Sequence, residues 1–233
     1  MMSDTQNLPI VVVACQIFKE MLEDFLPDKL ASEAIWLDYG LHRVPQKIRL
    51  SVQDIIDQIE EPSLILLGYG LCGNGISGIK SGKHTLLVPR MDDCITMLLG
   101  SYDAYIQEFE GNPGTYYLSK GWLESGSHPL KEYNEVRQKY GEEDANYIMD
   151  TQYQHYKRLV LVTHNEEDLA HYRPQAQEVA EYCQRWGMEY EEILGSDVYV
   201  RRLAEVALAL EKADREFVII PPGGEISLEQ FIR

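Results

Sequence analysis

The chain carries four cysteines, at positions 15, 72, 94 and 183. Three of them stand beside residues that could serve a ligand. Cys15 closes the apolar run IVVVAC. Cys72 lies in GYGLCGNGISGI, where Gly68, Gly70 and Gly73 form a G-x-G-x-x-G pattern and Asn74 follows. Cys94 comes directly after Asp92 and Asp93. Thiolates are soft ligands, suited to zinc, to iron or to an iron–sulfur cluster. Paired with a base, a thiol can instead serve as a nucleophile. A glycine-rich loop has its own use, since it lets backbone approach a ligand closely.

The glycine pattern first raises a dinucleotide site. Asp92 and Asp93 stand about 20 residues on, where an acid would meet the ribose. That fingerprint needs a helix whose N-terminus receives the pyrophosphate. Gly73, Gly75, Gly78 and Gly82 occupy the span instead, and the next strand begins near His84. Each glycine inside a helix costs roughly 1 kcal/mol. No nicotinamide cofactor is expected. The remaining readings are a tight turn between strands, or a loop that presents Cys72 while Gly70, Gly73 and Asn74 approach a ligand. Neither C-x-x-C nor H-E-x-x-H occurs, so no strong metal motif supports the thiols.

The elements that must position these residues follow from periodicity. Apolar runs at 10–15, 34–39, 63–69, 84–90, 114–119, 158–164, 188–194 and 216–222 are short. Most are rich in β-branched and aromatic residues and bounded by Gly or Pro, as buried strands are. Helical patterns cover 16–26, 51–59, 92–110, 128–156, 166–186 and 197–213. Ser51 with Asp54 resembles a helix start, and Gly187 a helix stop. The alternation predicts an α/β fold: two Rossmann-like units of parallel sheet, helices on both faces, and a crevice at the carboxyl edge of the strands. The expected units are 9–113, carrying the cysteine and glycine loops, and 157–233, with 114–156 as a strand and helix crossing between them.

In such a sheet Cys15, Cys72 and Cys94 all fall on the carboxyl edge, where ligands bind. A helix beginning at Cys94 would lower its pKa. Free cysteine is also a common core residue, and Cys183, inside a helical pattern, is read that way. Zinc bound by three thiolates takes a fourth ligand or keeps an open position. His42 and His164 both follow strands and could supply it, with His42 favoured because its strand should neighbour that of Cys15. Asp93 is a ligand candidate, though Asp92 and Asp93 would equally cap the following helix. Arg43 and Arg90 could hold an anion at the crevice or be ordinary solvated arginines. Gly223 and Gly224 should form a turn.

The bulk composition narrows the partners. A net charge of −17 with no Lys/Arg cluster excludes general nucleic-acid and anionic-membrane binding. The opening MMSDTQNLP lacks the features of a signal peptide. No apolar run approaches the roughly 18–20 residues of a membrane helix. Four cysteines do not make a disulfide scaffold in a chain this size. The expectation is a cytoplasmic protein with reduced thiols.

The segments ACQIFKEML, LHRVPQKI, GYGLCGNGISGI, DDCITMLLGS, NPGTYYLSKGW and YKRLVLVTH together resemble the domain of unknown function 1638 family, over about residues 10–200. Cys15, His42, Cys72, Gly73 and Cys94 fall on positions of the family pattern. Two positions depart from it: Gln16 replaces a glycine, and Asp93 stands where many members have histidine. The resemblance implies an accessory part in one-carbon metabolism, because family members are often encoded beside corrinoid-dependent methyltransferase systems. The D-x-H-x-x-G pattern of a corrinoid carrier is missing here. The expectation is a thiolate metal site at Cys15, Cys72 and Cys94 in a methyl-transfer enzyme or accessory protein. Its partners would be a small-molecule ligand and corrinoid methyltransferase components. Two alternatives stay open: a non-metal small-molecule or anion-binding module using the glycine loop, and a Cys-dependent hydrolase or transferase.

Overall fold

The computed structural model describes residues 8–233. Along the chain run β1 (Ile10–Cys15), α1 (Lys19–Glu23), α2 (Asp28–Glu33), β2 (Ile35–Leu37), α3 (Pro45–Gln58), β3 (Leu64–Gly68), β4 (Thr85–Pro89) and α4 (Cys94–Leu99). Then come α5 (Tyr102–Gly111), β5 (Thr115–Leu118), α6 (Lys120–Ser125), α7 (Pro129–Tyr140), α8 (Glu142–Tyr153), β6 (Arg158–Thr163), α9 (Glu166–Cys183) and β7 (Glu189–Leu194). The chain closes with α10 (Val198–Leu208) and β8 (Phe217–Ile220). Each apolar run is a strand, and the fold is mixed α/β.

The strands form two sheets, ordered β2-β1-β3-β4-β8 and β5-β6-β7. All pairs are parallel except β4 with β8. Parallel strands need both faces covered, and β3 and β4 are buried along their whole length. Helix α3 covers one face of the first sheet. Its Ile48, Val52 and Ile56 recur every fourth residue and pack with Val13, Ile65, Leu67, Leu86 and Val88. Each such aliphatic side chain contributes roughly 1.5–3 kcal/mol by leaving water. In the second sheet Leu118, Leu159 and Leu161 share a core with Met149, Tyr153, Ala176, Val179 and Cys183 of α8 and α9.

The two compact units are not the ones expected from the order of elements. One comprises the described residues up to Met97 together with Asp197–Arg233; the other is Leu98–Ser196. The sequence reading placed 157–233 together. The C-terminal part joins the first unit because β8 pairs with β4 from Leu86↔Ile220 to Pro89↔Phe217. Ile220, Ile226 and Phe231 also enter the core built on α3.

Several helices break where backbone chemistry requires it. The pattern over 92–110 divides at Gly100 (φ +88°), and Ser101 Oγ accepts the Ala104 N–H to start α5. The long pattern over 128–156 divides at Gly141 (φ +90°) into α7 and α8. Helix α3 begins at Pro45, whose missing N–H and fixed φ suit a first turn, so Ser51 is interior and caps nothing. Gly187 does end its segment, in the left-handed conformation at φ +75°. Between β3 and β4 there are turns and no helix.

Candidate functional site

Strands β1, β3 and β4 are parallel neighbours, so their carboxyl ends lie side by side. Cys15 is the last residue of β1, Cys72 follows β3, and Cys94 opens α4 after β4. The sheet thus brings the three predicted thiols to one edge. The loops are also stitched together, with Leu71 N–H donating to Met91 C=O at 2.9 Å and Cys72 N–H to Asp92 C=O at 2.8 Å. Gly70 permits this approach. A Cβ there would sit 3.0 Å from the Met91 carbonyl oxygen and 3.1 Å from Asp93 Cα.

The turn itself is left-handed over three successive residues: Cys72 (φ +46°), Gly73 (φ +65°) and Asn74 (φ +68°). Glycine accepts this readily and asparagine often does. For Cys72 the conformation costs of order 1 kcal/mol or more, and such strain is concentrated at ligand sites. Gly75 is held by close packing, its Cβ position lying 2.9 Å from Ile48 Cδ1.

The electrostatics of the edge have one sign. Burial pushes the Cys15 thiol up to about 11, opposed by a backbone N–H bond from Ile17 and reinforced by Asp38. Cys72 is raised by burial and then by Cys15 and Asp93, with a Gly70 N–H bond working the other way. Cys94 is raised well above the usual thiol range by burial, then by Asp93, Cys72 and Cys15. This corrects the expectation of a lowered pKa at a helix start: α4 is a six-residue helix, and the loss of solvent outweighs its short N-terminus. Asp93 is raised to about 6, chiefly by burial. Its Oδ1 accepts the Ile95 N–H at 2.9 Å, so the helix-capping role is real. No lysine or arginine is among the charges acting on these four groups.

Two further residues belong here that the sequence reading passed over. Tyr69, between Gly68 and Gly70, is 3 % exposed. Its hydroxyl has no hydrogen-bond partner among the described residues. After burial, Cys15, Cys72 and Asp38 raise its pKa. Asp38 follows β2, and its Oδ1 accepts the Gly40 N–H at 2.7 Å. Being the first residue past a central strand was the available sign for Tyr69; its aromatic character made it read as strand.

His42 lies in the 3₁₀ turn Tyr39–Arg43, after the strand that neighbours β1. Its Nδ1 bonds the Tyr39 carbonyl, which leaves Nε2 as the lone-pair nitrogen. Burial first, and Arg43, lower its pKa, keeping the ring neutral, while Asp38 acts on both His42 and Cys15. His164 belongs to the second unit, where Nε2 meets the Asn165 side chain at 2.8 Å and Nδ1 stands 3.8 Å from Asp168. Arg90 is committed elsewhere: its guanidinium bonds the Ile232 carbonyl. Its own carbonyl accepts from Arg233 at 2.6 Å. Gly73 and Asn74 are exposed at the turn. Gly223 (φ +77°) turns as expected. Cys183 is fully buried in the second core.

Soft sulfur donors in negative surroundings suit a cation chemically. The arrangement is a separate matter. Among the described residues, no group of three or more His, Cys, Asp and Glu side chains is placed to hold a metal ion. No helix among the described residues is long and apolar enough to cross a membrane.

Residues 36–203 match the family described as "Protein of unknown function (DUF1638)". No curated protein and no solved structure matches the chain. Matched over more than half of its length, from β2 into α10, the chain belongs to the DUF1638 family.

Proposed function

We propose that the carboxyl edge of the first sheet is a cation-selecting ligand site, and that the cation is a thiophilic metal ion held through Cys15, Cys72 and Cys94. One observation carries the reading: three adjacent strands deliver three thiols to one edge, where the carboxylates Asp38 and Asp93 act on them. An anion would be repelled there, which weighs against an anion-binding glycine loop. Burial is the main cause that holds the thiols protonated, and a bound cation would favour their thiolates. Zinc, iron and an iron–sulfur cluster all accept such donors. His42, neutral and with Nε2 unprotonated, is a suitable fourth ligand by type. A metal held there would favour the thiolate of a bound thiol substrate, the chemistry a methyl acceptor needs. A role as methyl-transfer enzyme or accessory protein in corrinoid-linked one-carbon metabolism rests on the family resemblance alone. A reducing cytoplasmic compartment would keep the free thiols available.

A second reading starts from the donors as they stand, with no group of three or more His, Cys, Asp and Glu side chains placed for an ion among the described residues. On that reading the ligand is a small organic cation, with protonated thiols and Tyr69 as hydrogen-bonding walls. A nucleophilic cysteine fits less well. Its thiolate would be scarce, and a base such as His42 would have to offset burial.

Elemental analysis and an absorption spectrum decide between them, on protein purified without oxygen and without an affinity tag. Stoichiometric zinc or iron supports the metal reading. Metal-free protein that takes up neither ion on reconstitution overturns it in favour of the second.

A further inference from the structure

Residues 221–233 grip the glycine loop that carries Cys72, and they do so at two ends. At the first, the segment runs antiparallel to residues 78–82. Gly78 N–H donates to Ile226 C=O at 2.8 Å, Ile226 N–H to Ile79 C=O at 2.9 Å, and Ser81 N–H to Gly224 C=O at 3.0 Å. The Ser81 hydroxyl, fully buried, donates to the Pro221 carbonyl at 2.7 Å and accepts the Gly224 N–H at 2.9 Å. The middle of the segment is held by apolar burial, since Ile226 and Phe231 enter the core built on α3. At the second end, Arg233 bonds Glu216 at 2.6 Å and the Arg90 carbonyl at 2.6 Å. Arg90 in turn bonds the Ile232 carbonyl. The side chains of Arg233 and Glu216 are mostly buried, and their bond is of the stronger, charge-assisted kind.

The two ends bracket the turn. Arg90 directly precedes Met91 and Asp92, whose carbonyls accept the Leu71 and Cys72 N–H groups at 2.9 and 2.8 Å. One end of the segment therefore fixes the residues by which the chain leaves the turn. The other fixes the residues to which the entry of the turn is stitched. Cys72, Gly73 and Asn74 are left-handed in succession, a conformation that persists only where the surroundings impose it. We propose that residues 221–233 are a strap that holds the Cys72 turn in this conformation, and that its release opens the turn and frees the half-buried Cys72 thiol to react. Such release is a local opening, lower in free energy than unfolding of the whole sheet. It is a conformational control on the thiol edge, and it stands whether or not that edge takes a cation.

The test uses the full chain with a chelator present, and the variants Arg233→Ala and Ser81→Ala, one for each end of the strap. Iodoacetamide labelling of Cys72 is followed by peptide mapping, and amide exchange by mass spectrometry. In Arg233→Ala, Cys72 labels about tenfold faster or more, the factor expected for a lost hydrogen bond between charged groups. The amides of Leu71 and Cys72 exchange faster together with those of residues 221–233. Strand β3 and Cys183 keep their wild-type protection. Ser81→Ala moves the same readings in the same direction. Wild-type labelling of Cys72 in both variants overturns the proposal, because the turn then holds itself. Loss of protection in β3 to the same extent as in the turn also overturns it, because the variants then unfold the sheet and open no strap.

Discussion

At the residue scale, what separates the thiols is their surroundings. Cys183 lies in an apolar core with no charged partner among the causes of its raised pKa, which burial alone pushes to about 12. At the sheet edge Cys15 adds to the rise of Cys72, and both add to that of Cys94, each after burial. Cys72→Ser should therefore lower metal content far more than Cys183→Ser, because a hydroxyl replaces a soft thiolate poorly. Cys183→Ser should instead lower thermal stability by about 1–3 kcal/mol, through a hydroxyl buried among apolar groups. Equal metal content in wild type and both variants would argue against the site. A second expectation concerns reactivity. With its thiol near 11, Cys15 carries on the order of 10⁻⁴ thiolate at pH 7. Iodoacetamide labelling of Cys15 in the metal-free native protein should be much slower than in urea, and should quicken steadily as pH rises toward 11. Rapid labelling at pH 7, with a plateau, would revive the nucleophile.

At the element scale, the loops after β3 and β4 act as one piece, and Gly70 is the point of closest approach. Gly70→Ala forces a Cβ against Met91 and Asp93 backbone. It should destabilise by about 1–3 kcal/mol and weaken ligand binding by displacing Cys72. Gly141→Ala, where nothing lies within 4 Å of the Cβ position, should lose stability through its positive φ alone and leave binding unchanged. Titration calorimetry with NAD should show no appreciable binding, since turns replace the helix that a pyrophosphate needs; micromolar affinity would contradict this.

Helix α7 supplies a pH test. His128, whose position carried no usable signal in the sequence, is its N-cap, with Nδ1 accepting the Lys131 N–H at 3.4 Å. That bond needs an unprotonated nitrogen. Burial first, and then Lys131, lower the His128 pKa, with Glu135 opposing. A depressed folded-state pKa stabilises above the unfolded value near 6.5 and loses that contribution as pH falls below it. Stability should decline between pH 7 and pH 5, by about 1 kcal/mol for the lost cap. His128→Asn, which keeps a capping oxygen, should flatten that part of the curve in chemical denaturation. An unchanged slope would show that His128 is not responsible.

At the scale of the whole molecule, the first unit is completed by its last residues. Strand β8 pairs with β4, Arg233 bonds Glu216 at 2.6 Å, and Arg90 holds the Ile232 carbonyl. Removing residues 214–233 would expose the β4 edge, with Leu86, Leu87 and Val88, as a template for aggregation. Such a truncation should be insoluble or should bind hydrophobic dyes strongly. A soluble, cooperatively melting product would show that the edge strand is dispensable.

Much of this protein was legible in its sequence. Strand positions were, because a buried parallel strand must be a short apolar run, and IVVVAC, LILLG and RLVLVT satisfy that without reference to anything distant. Cys15, Cys72 and Cys94 could be assigned to one edge because strand direction and a parallel sheet fix which end each loop occupies. Helix breaks at Gly100 and Gly141 were less visible, since a glycine within a helical pattern is a modest penalty unless the backbone takes positive φ there. Only the tertiary structure decided that residues 197–233 return to the first sheet, because pairing of β8 with β4 depends on which free edge is available, not on local pattern. It alone decided that the Cys94 thiol is raised: a helix start is a local feature, whereas desolvation depends on everything packed around it. The unsatisfied hydroxyl of Tyr69 was likewise invisible in sequence, because a hydrogen-bond deficit exists only once every neighbour is in place.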